Sequence, residues 1–154
     1  MTNTAAPTPD LRAQAFHLIT GHTHCWKCGQ PTSVSAIVLD GYEEAVDDGE
    51  WEPSAERTVL SYITAIDQAS LTAIQAVAPW LRYDRSETAD TTYLANHCTH
   101  CGVLQGDWFL AEPGEVFFPT GKSELQDFQF DRFDQVLEID AQCSWSGWHE
   151  WLPI

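Results

Sequence analysis

Two copies of the pattern Cys-x-x-Cys-Gly constrain this chain more than any other feature. The first is Cys25-Trp26-Lys27-Cys28-Gly29 and the second is Cys98-Thr99-His100-Cys101-Gly102. Two intervening residues bring both sulfurs of a tight turn onto one metal ion, and the following glycine permits the positive φ that turns backbone N–H groups toward the sulfurs. The duplicated turn, which we call a knuckle, predicts one metal site. Its predicted ligands are Cys25, Cys28, Cys98 and Cys101.

Zinc is the predicted metal, at one ion per chain, and iron is the less favoured choice. Four cysteines complete a tetrahedron and leave no open position for water or substrate, which is typical of structural zinc rather than catalytic zinc. Two alternatives stay open: the cysteines are two redox pairs, or they are unliganded core residues. Trp26 follows the first cysteine, whereas a thioredoxin-like redox motif places tryptophan before it, and this speaks against the redox alternative.

Histidines near the knuckles leave a second ligand set open. A Cys₃His site arises if one of them replaces a cysteine, although hydrogen bonding to the ligands or exposure to solvent is favoured. The nearby histidines are His22, His24, His97 and His100. The fifth cysteine, Cys143, makes the total odd, which argues against a disulfide framework. We expect Cys143 to be a small buried side chain on a late strand.

The paired knuckles resemble the zinc-ribbon and rubredoxin-like group, in which two such turns on β-hairpins hold one ion. The resemblance covers roughly residues 16–39 and 93–110. It is a split form, because 69 residues separate Cys28 from Cys98, against about 15–20 in a compact ribbon. The whole chain looks like small uncharacterised bacterial proteins with such a split ribbon. The resemblance implies a metal clasp and no particular activity.

The remaining pattern predicts an α+β fold. Strands are indicated over 32–39, 57–66, 91–97 and 135–143, where apolar and β-branched residues run together or alternate. A helical stripe runs from Leu71 to Leu81 with Asp67 as its N-cap. Residues 41–53 have the composition of an exposed acidic loop or short helix, and 102–110 fits either a strand or a helix.

The predicted domain organisation is simple. Residues 1–10 form a short lead-in, and 11–154 form one zinc-stabilised domain with an insert over 40–90 between the knuckles. The lead-in lacks the basic and apolar regions of a signal peptide, and no apolar run reaches the ~20 residues of a membrane helix. We therefore expect a cytoplasmic protein without a membrane partner.

Charge restricts the class of partner. Twenty-three acidic residues face seven Lys and Arg, which gives a formal charge of -16. Binding to nucleic acid depends on cations placed against phosphates, so direct binding to DNA or RNA is disfavoured. An acidic chain is attracted instead to basic surfaces of other proteins.

Two segments are candidates for the partner surface. The acidic segment contains Trp51 among its carboxylates, and the C-terminal tail contains three tryptophans in ten residues. The tail tryptophans are interpreted first as cover for the protein's own core and second as an interface. The candidate partner-binding residues are Glu43, Glu44, Asp47, Asp48, Trp51, Trp148 and Trp151.

The function favoured by these residues is non-enzymatic. It is a zinc-stabilised acidic protein that binds another protein, with an inhibitor or a nucleic-acid-mimicking decoy as a specific form. The alternative is a metal-dependent enzyme whose site lies between ribbon and insert. The chain contains no glycine-rich phosphate loop, no His-Glu-x-x-His and no nucleophile elbow.

Overall fold

Antiparallel β-structure dominates the chain. In the computed structural model, which describes residues 9–154 apart from the side chain of Asp48, strands make up 47 % of the residues and helical turns 19 %. Residues 1–8, most of the predicted lead-in, lie outside the described residues. The α+β prediction is therefore wrong, and the fold is β-rich. The bounds 11–154 for one domain, with an insert over 40–90, stay a prediction.

Ten strands and two short α-helices follow one another along the described chain. The strands are β1 (Leu11–Ala13), β2 (Phe16–His24), β3 (Pro31–Ala45), β4 (Trp51–Val59), β5 (Ser61–Ile66), β6 (Leu81–Ser86), β7 (Thr91–His97), β8 (Leu104–Gln105), β9 (Gln129–Phe133) and β10 (Leu137–Gln142). The helices are α1 (Gln68–Val77) and α2 (Asp107–Leu110), and 3₁₀ turns occupy Asp47–Gly49, Lys122–Asp127 and Gly147–Trp151. Within residues 9–154, no helix combines the length and the apolar character needed to cross a bilayer.

The strands form two sheets in which every pair is antiparallel. The larger sheet has the order β5-β10-β1-β3-β2-β9, with β4 also paired to β3, and the smaller sheet has the order β6-β7-β8. The first part of β3 pairs with β2, and its last part lies between β1 and β4. The β3–β4 register shifts at Gly41, whose φ of 87° suits glycine and marks a bulge in the long strand.

The prediction of a loop or short helix at 41–53 fails because β-structure continues through the acidic segment. Tyr42 is buried, and Trp51 packs beneath the guanidinium of Arg12 with 4.1 Å between the cation and the ring centre. These contacts hold residues 41–45 and 51–56 as strands, and only 47–49 form a helical turn. Exposed carboxylates dominate the composition of this segment, so the half-buried positions between them give little indication of a strand.

Other element predictions agree better with the structure. Helix α1 is capped by Asp67, whose carboxylate accepts the N–H of Ser70 at 3.0 Å. The strands predicted at 32–39, 91–97 and 135–143 are present, whereas the strand predicted at 57–66 divides after Val59 into β4 and β5. The segment 102–110 contains both a two-residue strand and a four-residue helix.

The centre of the larger sheet is buried on both faces. Leu18, Ile37 and Leu39 face a core shared with α1 and the smaller sheet. Their neighbours Ile19 and Val38 face a second core that is closed by α2 and the C-terminal tail. Burial on both faces explains why β2 and β3 are nearly continuous in apolar residues there.

Candidate metal centre

Each knuckle is the turn of a β-hairpin. The first knuckle joins β2 to β3 and the second joins β7 to β8. Their backbones match: Cys25 N–H donates to Gln30 O at 2.9 Å, and Cys98 N–H donates to Val103 O at 2.9 Å. Gly29 and Gly102 have φ of 75° and 78°, which is the left-handed conformation that the sequence pattern predicts for them.

The two knuckles bring four sulfurs close together. The Sγ atoms of Cys25 and Cys101 are 3.6 Å apart, those of Cys28 and Cys98 are 3.7 Å apart, and all four lie within 4.8 Å of one another. A tetrahedron with metal–sulfur bonds of about 2.3 Å has edges of about 3.8 Å. The spacing therefore fits a four-sulfur metal ion. In the described part of the chain, no other group of three or more Cys, His, Asp or Glu residues brings its ligand atoms this close together.

Backbone N–H groups point at the sulfur of the first cysteine in each knuckle. Cys25 Sγ accepts from Lys27 N and Cys28 N at 3.4 Å each, and Cys98 Sγ accepts from His100 N at 3.3 Å and Cys101 N at 3.4 Å. These donors stabilise negative charge on the sulfur, which a tetrathiolate site in an acidic chain requires. The first cysteine of each knuckle, Cys25 or Cys98, is buried, and the second, Cys28 or Cys101, is exposed.

The thiols of the site ionise unequally. Burial raises the pKa of Cys25, but the N–H groups of Cys28 and Lys27 outweigh it and lower the pKa to about 6. For Cys28, the N–H of Gln30 lowers the pKa, but partial desolvation of the thiol and the neighbouring thiols outweigh it and raise the pKa to about 11. The pKa of Cys98 is lowered, because N–H groups of Cys101 and His100 outweigh the effect of burial. Cysteine ligands bind a metal as thiolates, so metal binding favours loss of the proton from each of these thiols.

Polar contacts tie the two hairpins together beside the sulfurs. Thr99 N–H, in the second knuckle, donates to Thr32 Oγ1 of β3 at 2.9 Å. Deeper in, the side chain of Asn96 accepts from Ser35 N at 2.7 Å and donates to Ser35 O at 3.0 Å. Asn96 is buried, so its amide satisfies backbone groups that no strand pairs with. The four cysteines are thus brought together by two docked hairpins.

The four histidines near the knuckles lie outside the sulfur cluster. His97 is fully buried, with Nδ1 3.1 Å from Trp80 O and Nε2 2.8 Å from Asp84 Oδ2. His100 Nε2 lies 3.0 Å from Pro31 O, which links the second knuckle to β3. His22 and His24 are exposed, and neither belongs to the converging ligand group. In the described residues, the ligand atoms that converge are therefore the four sulfurs, and none of these four histidines belongs to that group.

Two side-chain contacts that the sequence pattern does not predict complete the site. Gln105 donates its amide N–H to Cys25 Sγ at 3.3 Å, and Trp26 donates its indole N–H to Leu104 O at 2.7 Å. Both contacts join the first knuckle to β8. Since the partners are 80 and 78 residues apart in sequence, no local signal reveals them.

The candidate partner-binding residues do not share one environment. Glu44 and Asp47 are exposed, while Glu43 is half-buried in an ion pair with Arg12 at 2.9 Å. Trp51 is half-buried against Arg12, and the side chain of Asp48 is not described. In the tail, Trp148 is 3 % exposed inside the second core and Trp151 packs against that core. Trp148 therefore has no surface to offer a partner, in line with the first interpretation of the tail.

Comparison of the chain with protein-family models, with curated proteins and with solved structures gave no match. The zinc-ribbon resemblance thus has the four-cysteine cluster as its support.

Proposed function

We propose that this chain is a zinc-stabilised, non-enzymatic acidic protein that binds the basic surface of another protein. The observation that carries the proposal lies in the β3–β4 hairpin, residues 41–56, which we call the acidic hairpin. Among the described residues, no cation lies within ion-pair distance of its exposed carboxylates Glu44, Asp47, Glu50 and Glu52. A row of unneutralised carboxylates on a rigid hairpin suits a partner that supplies the missing cations.

Zinc has a structural role in this proposal. Four sulfurs at tetrahedral spacing fill the coordination sphere of zinc and leave no place for a reacting water. The alternative of a metal-dependent enzyme needs such a place. Zinc bound here holds the two hairpins together, so its binding energy contributes to the stability of the fold.

A specific form of the function is a decoy for nucleic acid. Carboxylates spaced along an extended hairpin compete with phosphates for the same Lys and Arg side chains. In that form, the partner is a nucleic-acid-binding protein, and the acidic hairpin occupies its basic groove. Binding of this chain and of nucleic acid to the partner is then mutually exclusive.

The test compares two charge-reversed variants of equal net charge. The partner is recovered by affinity capture, identified by mass spectrometry and purified. Its affinity is then measured for the wild type, for Glu44→Lys/Asp47→Lys/Glu50→Lys, and for the control Glu112→Lys/Asp127→Lys/Glu150→Lys, whose three carboxylates are exposed elsewhere. Both variants change the net charge equally, so long-range attraction falls equally in both.

The hairpin variant should lose more than about tenfold in affinity and the control only a small part of that, because close contacts exceed long-range attraction. Equal losses would show that net charge alone matters and would reject the acidic hairpin as the binding surface. For the decoy form, unlabelled nucleic acid should displace the chain from its partner. Simultaneous binding of both would reject that form while leaving the broader proposal in place.

A further inference from the structure

An open apolar cleft of about 540 Å³ lies beside the first knuckle, away from the four sulfurs. That volume is within the range of sites that hold small ligands or peptide side chains. Its walls come from the first knuckle, from the start of β5, from β7 and β8, and from α2. The apolar lining residues are Trp26, Tyr62, Tyr93, Leu104, Trp108 and Phe109. We call this space the aromatic cleft.

Three of the four most exposed aromatic side chains among the described residues line the aromatic cleft. Trp26 is 58 % exposed, Trp108 68 % and Phe109 54 %. Single exposed apolar residues are ordinary, but several around one concave surface indicate a binding site. Trp and Tyr are also the residues that dominate the energy of protein interfaces.

The walls of the cleft are fixed before any ligand arrives. The indole of Trp26 is held by its 2.7 Å hydrogen bond to Leu104 O. Below it, Tyr62 and Tyr93 meet edge to face with 5.1 Å between their ring centres, and Tyr93 Oη accepts the N–H of Asp107 at 3.0 Å. Tyr62 has a φ of 50°, a conformation rare for tyrosine, and its N–H donates to Asp107 Oδ2 at 2.8 Å. Backbone strain of this kind concentrates at functional sites.

The charge around the cleft favours a cationic occupant. The cation at the rim, Arg85, is paired with Asp90 and lies 3.8 Å from Glu87, so its charge is more than offset locally. Aromatic ring faces attract cations, and a guanidinium also stacks on them. An apolar floor suits the aliphatic stem of the same side chain.

We propose that the aromatic cleft binds arginine side chains presented by an extended segment of a basic protein partner. This inference rests on the proposed function for the charge of the partner, and it assigns the contact to a surface separate from the acidic hairpin. Arginine is preferred over lysine because its planar group stacks on indole rings. The tryptophan of the first knuckle forms one wall, so loss of the metal should also disturb the cleft.

The test uses a dye-labelled nonapeptide with three arginines separated by glycine and serine, and matched peptides with lysine or citrulline in their place. Affinity for the metal-loaded full chain is measured by fluorescence anisotropy. The variants are Trp108→Ala and Trp26→Phe, and the control is Trp145→Ala, a tryptophan 61 % exposed outside the cleft. NMR of the indole N–H groups in the wild type locates the site without any substitution.

The arginine peptide should shift the indole signals of Trp26 and Trp108 and leave that of Trp145 in place. Trp108→Ala should weaken binding about tenfold and Trp145→Ala less than about twofold. The citrulline peptide should bind at least about tenfold more weakly than the arginine peptide, because it keeps the shape and loses the charge.

Three results would overturn the inference. Equal binding of the citrulline peptide would make the cleft a purely apolar site. Unchanged affinity in Trp108→Ala, with no indole shift, would show that the peptide binds outside the aromatic cleft. If the charge-reversed variant of the acidic hairpin then lost affinity for the peptide, the proposed function would be kept and the cleft inference rejected. Concentration-dependent self-association that Trp108→Ala abolishes would identify a second copy of the chain as the occupant.

Discussion

Glu44 lies directly opposite Glu52 in the antiparallel pairing of β3 with β4. Side chains at such positions have Cβ atoms about 4.5–5.5 Å apart, so two carboxylates there repel each other. One residue earlier, Glu43 is paired with Arg12 at 2.9 Å. The acidic hairpin therefore contains a neutralised and an unneutralised carboxylate at adjacent positions. This contrast allows its proposed binding role to be tested separately from its contribution to stability.

Substitution Glu44→Lys should stabilise the fold while weakening association with the proposed basic partner. The new lysine faces Glu52, so a repulsive pair becomes an attractive one, worth about 0.2–1 kcal/mol. The matched control is Glu43→Lys, which makes the same charge change but breaks the ion pair with Arg12. Urea unfolding should show the free energy of unfolding rising in the first variant and falling in the second. Changes of the same sign in both would contradict the assigned pairings.

The metal centre predicts one zinc per chain and a strong dependence of the fold on it. Cys28→Ser and Cys101→Ser should each lose the metal and much of the stability, because structural zinc contributes on the order of 10 kcal/mol in small domains. Cys143→Ser, which removes the thiol outside the site, should retain the metal. Elemental analysis and thermal unfolding check both statements.

Cobalt substitution checks the closure of the same site. A tetrathiolate site and a site with bound water give different visible spectra, and we expect the tetrathiolate spectrum. Thiol labelling of the native zinc form should be slow until a chelator is added. An equivalent of iron would change the metal assignment, and purification without any metal would refute the site.

The sequence could reveal the two knuckles because the geometry of each one is local. Two residues between cysteines and a glycine after them determine each knuckle, whatever the rest of the chain does. Helix α1 was equally accessible, since its apolar spacing and the Asp67 cap lie within a dozen residues. Both predictions needed no knowledge of distant contacts.

The fold class and the aromatic cleft depend on distant contacts and were therefore missed. Residues 41–45 and 51–56 are strands because Arg12 of β1 pairs with Glu43 and covers Trp51. The pair Trp108–Phe109 has the composition of a core segment, but the short helix α2 turns both rings outward. Neither of these two features produces a periodic pattern of apolar residues in the sequence.

Arg57 should prove essential for attachment of the C-terminal tail. Its guanidinium donates to Leu152 O at 2.9 Å and to Ile154 O at 2.6 Å, and it also pairs with Asp40 at 3.0 Å. Arg57→Lys loses the planar fork that reaches several acceptors, at a cost of about 1.5–3 kcal/mol. Chemical unfolding measures this loss, and tail release should expose Trp148 to a fluorescence quencher. Arg132→Lys, at a more exposed ion pair, should change stability by less than about 1 kcal/mol.

The half-buried carboxylate of Asp107, below the aromatic cleft, predicts a dependence of stability on pH. Burial raises the pKa of Asp107 from 3.8 to about 6, and the N–H of Tyr62 opposes this only in part. The folded state therefore holds the proton more tightly than the unfolded state between about pH 4 and pH 6. Its contribution to stability is complete below pH 4 and is lost as the pH rises through about 6.

Substitution Asp107→Asn should remove that loss, because the amide carries no charge and its oxygen still accepts the N–H of Tyr62. At pH 7.5, the variant should be more stable than the wild type by on the order of 1–3 kcal/mol, and the difference should shrink as the pH falls toward 5. Acid also protonates the cysteine ligands, so the measured quantity is the difference between variant and wild type at each pH, both loaded with zinc. Asp127→Asn, at an exposed carboxylate, should show no such trend. A difference independent of pH would mean that the hydrogen bond, and not the buried charge, determines the effect of Asp107.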